Sequence, residues 1–209
     1  MDSLILLNKP MHMLSQFSDD GAKRGLAHLL KAPHYRVAGR LDSDSEGLLV
    51  LTKNGKLQSQ LTSPKQTTWK YYWVQVEGEI THSAIEQLTT GLLLNDGLTS
   101  PAKVKTITAP VLWDREPPIR YRAQVPTSWL SIGLCEGRNR QIRRMTAAVG
   151  FPTLRLVRYQ VGAFKLASLM PGEYRFVETP PSFSSATATP TKKRRRYVAK
   201  VSPTARVRS

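Results

Sequence analysis

Between Gly39 and Gly47 the chain reads Gly-Arg-Leu-Asp-Ser-Asp-Ser-Glu-Gly, and an apolar run, Leu48–Leu51, follows at once. Asp42 stands just after Arg40 in a polar segment bracketed by glycines, which permit turns closed to other residues. The layout is that of one acid on a bent loop pinned against a buried strand. Such a carboxylate can attack carbon, or steady positive charge that develops on a substrate, and a guanidinium within a few ångström would keep it ionised. Asp44 and Glu46 lie close by, so a paired-carboxylate mechanism of the glycosidase kind has to be weighed against their ordinary use in polar loops.

A second group of candidates is basic. Residues Glu136–Met145 read Glu-Gly-Arg-Asn-Arg-Gln-Ile-Arg-Arg-Met. On a helix, Arg140, Arg143 and Arg144 fall on one side, and Ile142, Met145 and Val149 on the other. Arg138, Arg155 and Arg158 extend this block, with no acid between Arg138 and Arg158. A solvated basic face explains the pattern as readily as a surface for phosphates does. The segment Trp69–Glu77 alternates with period two. It places Lys70, Tyr72, Val74 and Val76 on one face, so Tyr72 shares the apolar, buried side.

Other chemistries find little support. The four histidines lack ligand spacing and one cysteine, Cys135, cannot form an internal disulfide or a paired-cysteine metal site. The zinc-deaminase set and the glycine-rich nucleotide loops are missing. No metal and no cofactor is expected.

Several elements must position these groups. Leu4–Asn8 reads as a strand closed by Lys9-Pro10. Ala22–Leu30 reads as a helix ended by Pro33. Leu48–Thr52 is a buried strand, followed by a turn at Asn54-Gly55 and a short helix with Leu57 and Leu61 on one side. A helix at 82–90 has Thr81 as cap. Strands and turns fill 92–134, a helix covers 139–149, and strands at 153–161 and 173–178 complete the series. Irregularly interspersed helices and neighbouring strands predict an α+β fold with a mostly antiparallel sheet.

The 209 residues carry a formal net charge of +16, which suits a polyanionic partner. Residues 182–209 hold eight of the basic residues and no acid, in a Ser/Thr/Ala-rich setting that predicts a disordered tail. No run is long enough to span a membrane, and the N-terminus does not read as a signal peptide. A reducing cytoplasm is the simplest setting.

Residues 39–52 resemble the catalytic signature of the RsuA/RluB/RluE/RluF-type pseudouridine synthases, in which Gly-Arg-Leu-Asp leads through free positions to Ser or Thr, Gly and an apolar run ending in Thr. Glu136–Met145 is similar to that family's second conserved block, and Lys70-Tyr71-Tyr72-Trp73-Val74 fits its Lys-x-Tyr-x-Val strand. Lys9–Phe17 and Trp73–Gly78 look most like the RluE branch, which modifies large-subunit ribosomal RNA. The resemblance implies isomerisation of uridine: the N-glycosidic bond breaks, the uracil turns, and it rejoins through carbon. It implies Asp42 as the catalytic carboxylate, Arg143 as its ion-pair partner, and Tyr72 as the ring against uracil. Arg40 would displace the target base or brace its loop. Arg140 and Arg144 would contact phosphates or support the site from behind, and Arg138, Arg155 and Arg158 would contact RNA.

Asp44 and Glu46 occupy the family's free positions. Lys53-Asn54-Gly55 departs from the usual Asn-Asp-Gly, which should alter only a surface turn. The small S4 module of many relatives is expected to be missing. The expected organisation is a catalytic domain over 1–181, with lobes near 1–64 and 65–181, and a basic tail over 182–209. The partner expected is ribosomal RNA or its precursor particle, bound by a monomer. The rival reading is a non-catalytic RNA-binding or ribosome-assembly protein on the same fold, or the same chemistry on another RNA.

Overall fold

A computed structural model describes residues 3–63, 68–119, 122 and 124–179; the expected tail, 182–209, lies outside them. The chain runs β1 (Ser3–Lys9), β2 (Arg36–Val37), β3 (Glu46–Thr52), α1 (Gly55–Thr62), β4 (Lys70–Glu77), α2 (His82–Thr90) and a hairpin of β5 (Leu93–Leu94) and β6 (Gly97–Leu98). It continues through β7 (Lys103–Ile107), β8 (Thr127–Leu134), α3 (Gln141–Ala148), β9 (Thr153–Val161), β10 (Phe164–Lys165) and β11 (Tyr174–Glu178).

One large sheet has the strand order β11-β1-β3-β9-β4-β8-β7, with β2 added to β3 and β10 to β9. Its pairings are antiparallel except β3 with β9, where Glu46 and Gly47 lie beside Val157 and Arg158 in parallel. The fold is thus α+β with a mixed, mostly antiparallel sheet. The parallel junction needs glycine. Gly47 has φ +104°, and a Cβ on it would stand 2.4 Å from the Arg158 carbonyl oxygen.

Burial follows the alternation read from the sequence. In β4, Lys70, Val74 and Val76 are buried, whereas Tyr71, Trp73 and Gln75 are half-buried on the other face. Val74 and Val76 join Leu130, Ile132, Ile142 and Met145 in one apolar cluster, against which Val149 packs. Ile5, Leu7, Leu49 and Leu51 form another with Leu26, Leu30 and Leu41. Tyr72 packs against both. The helix caps also follow the residues: Asn54 accepts from the Lys56 and Leu57 amides, and Thr81 from the Ala84 amide.

The helix expected over Ala22–Leu30 does not form; only a 3₁₀ turn at Leu26–His28 is present. Long-range backbone pairing replaces it. The Leu26 amide donates to Gln16 at 2.7 Å, and the Leu14 amide to Arg24 at 2.9 Å. Gly25 lies so close to residues 17 and 18 that a Cβ would meet the Phe17 carbonyl at 2.3 Å. Leu26 is fully buried all the same, so the apolar pattern was sound and the hydrogen-bond partners were not local. In α3 the first helical residue is Gln141, because Arg140 is left-handed with φ 46°.

Candidate active site

Asp42 sits in a loop whose backbone oxygens are held one after another. The Arg158 guanidinium donates to the Gly39 oxygen at 2.8 Å and the Arg40 oxygen at 3.2 Å. The Ser15 hydroxyl donates to Leu41 at 2.7 Å, and the Ser45 amide to Asp42 at 3.1 Å. The His12 amide reaches the Ser43 oxygen at 2.7 Å, and Arg143 the Asp44 oxygen at 2.6 Å. Every carbonyl from Gly39 to Asp44 therefore has a donor, drawn from four separate stretches of chain. Such a loop has little freedom left, whereas the Asp42 carboxylate has no hydrogen bond among the described residues. It opens into a cavity of about 670 Å³ lined by Arg40, Lys70, Tyr72, Cys135, Arg140 and Arg158 among others.

Beneath the loop lies Lys9, fully buried at the end of β1. Its ammonium donates to the Pro10 and Met13 oxygens, each at 2.8 Å, and more weakly to Ser43 at 3.4 Å. Burial pushes its pKa down to about 7, against the opposing pull of Glu46, Asp44 and Asp42. Lys70, on the cavity wall, is likewise lowered, first by burial and then by the Arg158 charge. Neither lysine is among the site residues expected from the sequence. The available signal was position: Lys9 ends a strand built on the apolar run Leu4–Leu7, and Lys70 falls on the buried face of β4.

The expected pairing of Arg143 with Asp42 is corrected by the structure. Arg143 lies on the first turn of α3, where Nη1 donates to the Thr153 oxygen at 3.2 Å, and Nε stands 3.3 Å from Asp44 Oδ2. Arg140 takes the same carboxylate with a two-pronged contact, at 2.9 and 2.8 Å. Asp44 is therefore the acid that gathers these two arginines, although Asp42 supports the charge of both through space. Burial of Asp44 favours its neutral form, but the Arg140 hydrogen bonds and the two arginine charges prevail and hold its pKa below the usual carboxylate range.

The other expected RNA contacts divide. Arg155 is buried and donates to Glu46 at 2.9 and 3.0 Å and to the Trp113 oxygen at 3.0 Å, so its guanidinium does not face a nucleic acid. Arg158 is also buried, its third donor on the Leu48 oxygen at 2.8 Å; it braces the loop from the cavity wall. Arg138 donates to the Gly97 oxygen at 2.9 Å, and Arg144 grips Asp96 at 2.8 and 2.9 Å, so both hold the β5–β6 hairpin. Arg40 is exposed on the cavity rim with no side-chain partner among the described residues. No group of three or more His, Cys, Asp or Glu among the described residues could hold a metal ion.

Asp42 on a held loop, Tyr72 from β4 and the arginines Arg40 and Arg140 thus line one cavity, a set of groups compatible with an enzyme that modifies nucleic acid. Residues 3–148 match the family model described as RNA pseudouridylate synthase, and the chain belongs to that family. It is 53% identical over 177 residues to the "Ribosomal large subunit pseudouridine synthase E" of Vibrio vulnificus (strain CMCP6), covering 85% of this chain and 76% of that one. The protein of that name from Xanthomonas campestris pv. campestris is 55% identical over 175 residues, covering 82% and 94% of the two chains. A solved structure titled "Crystal structure of pseudouridylate synthase" superposes with a TM-score of 0.70 at 28% identity, over 85% of this chain and 71% of that one.

Proposed function

We propose that this protein converts a uridine of large-subunit ribosomal RNA to pseudouridine, with Asp42 as the catalytic carboxylate. One observation carries the reading: in a loop whose carbonyls from Gly39 to Asp44 are all engaged, the Asp42 carboxylate lines the cavity with no hydrogen bond among the described residues. A fixed loop brings that oxygen pair to the glycosidic carbon, or to the uracil ring, without a further loss of freedom on binding. Tyr72, wedged between two apolar clusters and half-buried on the cavity wall, offers its ring to the detached base. Arg40, exposed at the rim, would fill the place of the extruded nucleotide or hold a phosphate. The relatives named for large-subunit rRNA supply the substrate class. The chemistry needs no cofactor, and we place the enzyme in the cytoplasm as a monomer. No helix among the described residues is long and apolar enough to cross a membrane.

Release of tritium from carbon-5-labelled uridine in rRNA tests the reading. Wild type should release it and Asp42→Asn should not. Equal background from both proteins would favour a non-catalytic RNA-binding protein on this fold.

A further inference from the structure

Arg140 is built in an unusual way for a residue that points at solvent. Its backbone is left-handed, with φ 46° and ψ 34°, at the N-terminal cap of α3. That conformation is costly for a residue with a Cβ and persists only where the surroundings impose it. What the side chain meets is the Asp44 carboxylate, contacted through both terminal nitrogens. The side chain nonetheless remains 45% exposed and lines the cavity mouth. A planar guanidinium fork grips two oxygens of a phosphate in the same manner as two oxygens of a carboxylate.

Asp44 is not dependent on Arg140 alone. Arg143 Nε lies 3.3 Å from Asp44 Oδ2, buried, and is left without a hydrogen bond of its own. If Arg140 departed, Asp44 would keep a buried cation beside it with a donor still to offer. On the reading that the cavity takes RNA, an unpaired carboxylate beside Arg140 would repel the ligand's phosphates. Here it is neutralised twice over, and the more exposed partner is the one that can leave.

We infer that Asp44 is a positioning residue that holds Arg140 in reserve, and that Arg140 passes from Asp44 to a phosphate of the RNA on binding while Arg143 stays with Asp44. This rests on the reading that the ligand is RNA, and it assigns Asp44 a role in binding that is separate from the role of Asp42 in the reaction. Asp44 thereby sets a competition: the tighter it holds Arg140, the weaker the RNA is bound.

The test is equilibrium binding of transcribed large-subunit rRNA to full-length protein in an Asp42→Asn background, where turnover cannot disturb the measurement. Asp44→Ala should bind about two- to five-fold more tightly, the range expected when a partly exposed ion pair no longer competes. Arg140→Ala should bind more weakly and lower the slope of log K against log salt by about 0.7–0.9. Adding Asp44→Ala to Arg140→Ala should then give no tightening. Asp44→Asn, which keeps the shape of the side chain, should tighten binding in the same direction and serves if the alanine variant does not fold. Weaker or unchanged binding by a folded Asp44 variant overturns the proposal. So does equal tightening without Arg140, which would mean simple repulsion by Asp44. Absence of pseudouridine formation by wild type would sink the catalytic reading and leave these affinities to decide the present one.

Discussion

Replacing Glu46 with leucine should be among the most damaging single changes outside the cavity. Glu46 opens β3, and its side chain is 2% exposed against 8% for Arg155. Arg155 donates to both carboxylate oxygens, at 2.9 and 3.0 Å, and the Trp113 indole donates to one of them at 2.7 Å. The leucine variant would strand a buried guanidinium and an indole N–H together. Breaking a buried pair on one side costs about 3–5 kcal/mol, whereas replacing both partners with apolar groups is often close to neutral. For a chain of this size that single loss is a fall in Tm of roughly 6–20 °C, at about 2–4 °C per kcal/mol. The assay is urea unfolding followed by tryptophan fluorescence and far-ultraviolet circular dichroism, with unchanged m-values required of each variant. Glu46→Leu with Arg155→Met should recover most of the stability, and Glu46→Gln, which keeps an acceptor for Trp113, should fall between. A cost under about 1 kcal/mol for Glu46→Leu, or a double variant as unstable as the two singles combined, would refute the account of this pair.

Lys9, lowered to about 7 in the folded protein, holds its proton up to the ordinary 10.5 when unfolded. Between those values the unfolded chain binds more protons, so stability should rise with pH across that window; Lys9→Met should flatten the profile, and parallel urea midpoints for the two proteins from pH 6 to 9 would contradict this. Gly47→Ala meets the Arg158 carbonyl at 2.4 Å with φ +104°, so a loss of about 3 kcal/mol or more is expected, and a wild-type melting curve would show the β3–β9 junction to be looser than described. Deleting residues 182–209, which remove eight positive charges, should weaken rRNA binding and its salt dependence while leaving the single-turnover rate at saturation intact; binding that is unchanged across salt concentrations would remove the tail from the account.

The strands, the capped helices and the acidic loop could be read from the chain because each depends on neighbours in sequence. Alternation in β4, the turn at Asn54-Gly55, the Thr81 cap and the amphipathic helix expected over 139–149 are short-range patterns, and the structure has them there, the last shortened to Gln141–Ala148. The segment Ala22–Leu30 shows the limit: its apolar spacing suited a helix, yet its amides found carbonyls on residues 16 and 17, a choice that local propensity does not contain. Partner choice among long charged side chains is harder still. Arg155 and Arg158 are expected among the RNA contacts as arginines in a basic run. Glu46 lies 109 residues from Arg155, and the Leu48 oxygen 110 residues from Arg158; only folding brings those acceptors within reach. Asp44 likewise receives Arg140 and Arg143 because α3 packs beside the loop, although Asp42 is just two positions away. Residue types and periodicity thus determined which groups could form the site and on what elements they lie. The tertiary structure alone decided which acid each arginine meets, since a flexible guanidinium has several acids within its span and burial selects among them.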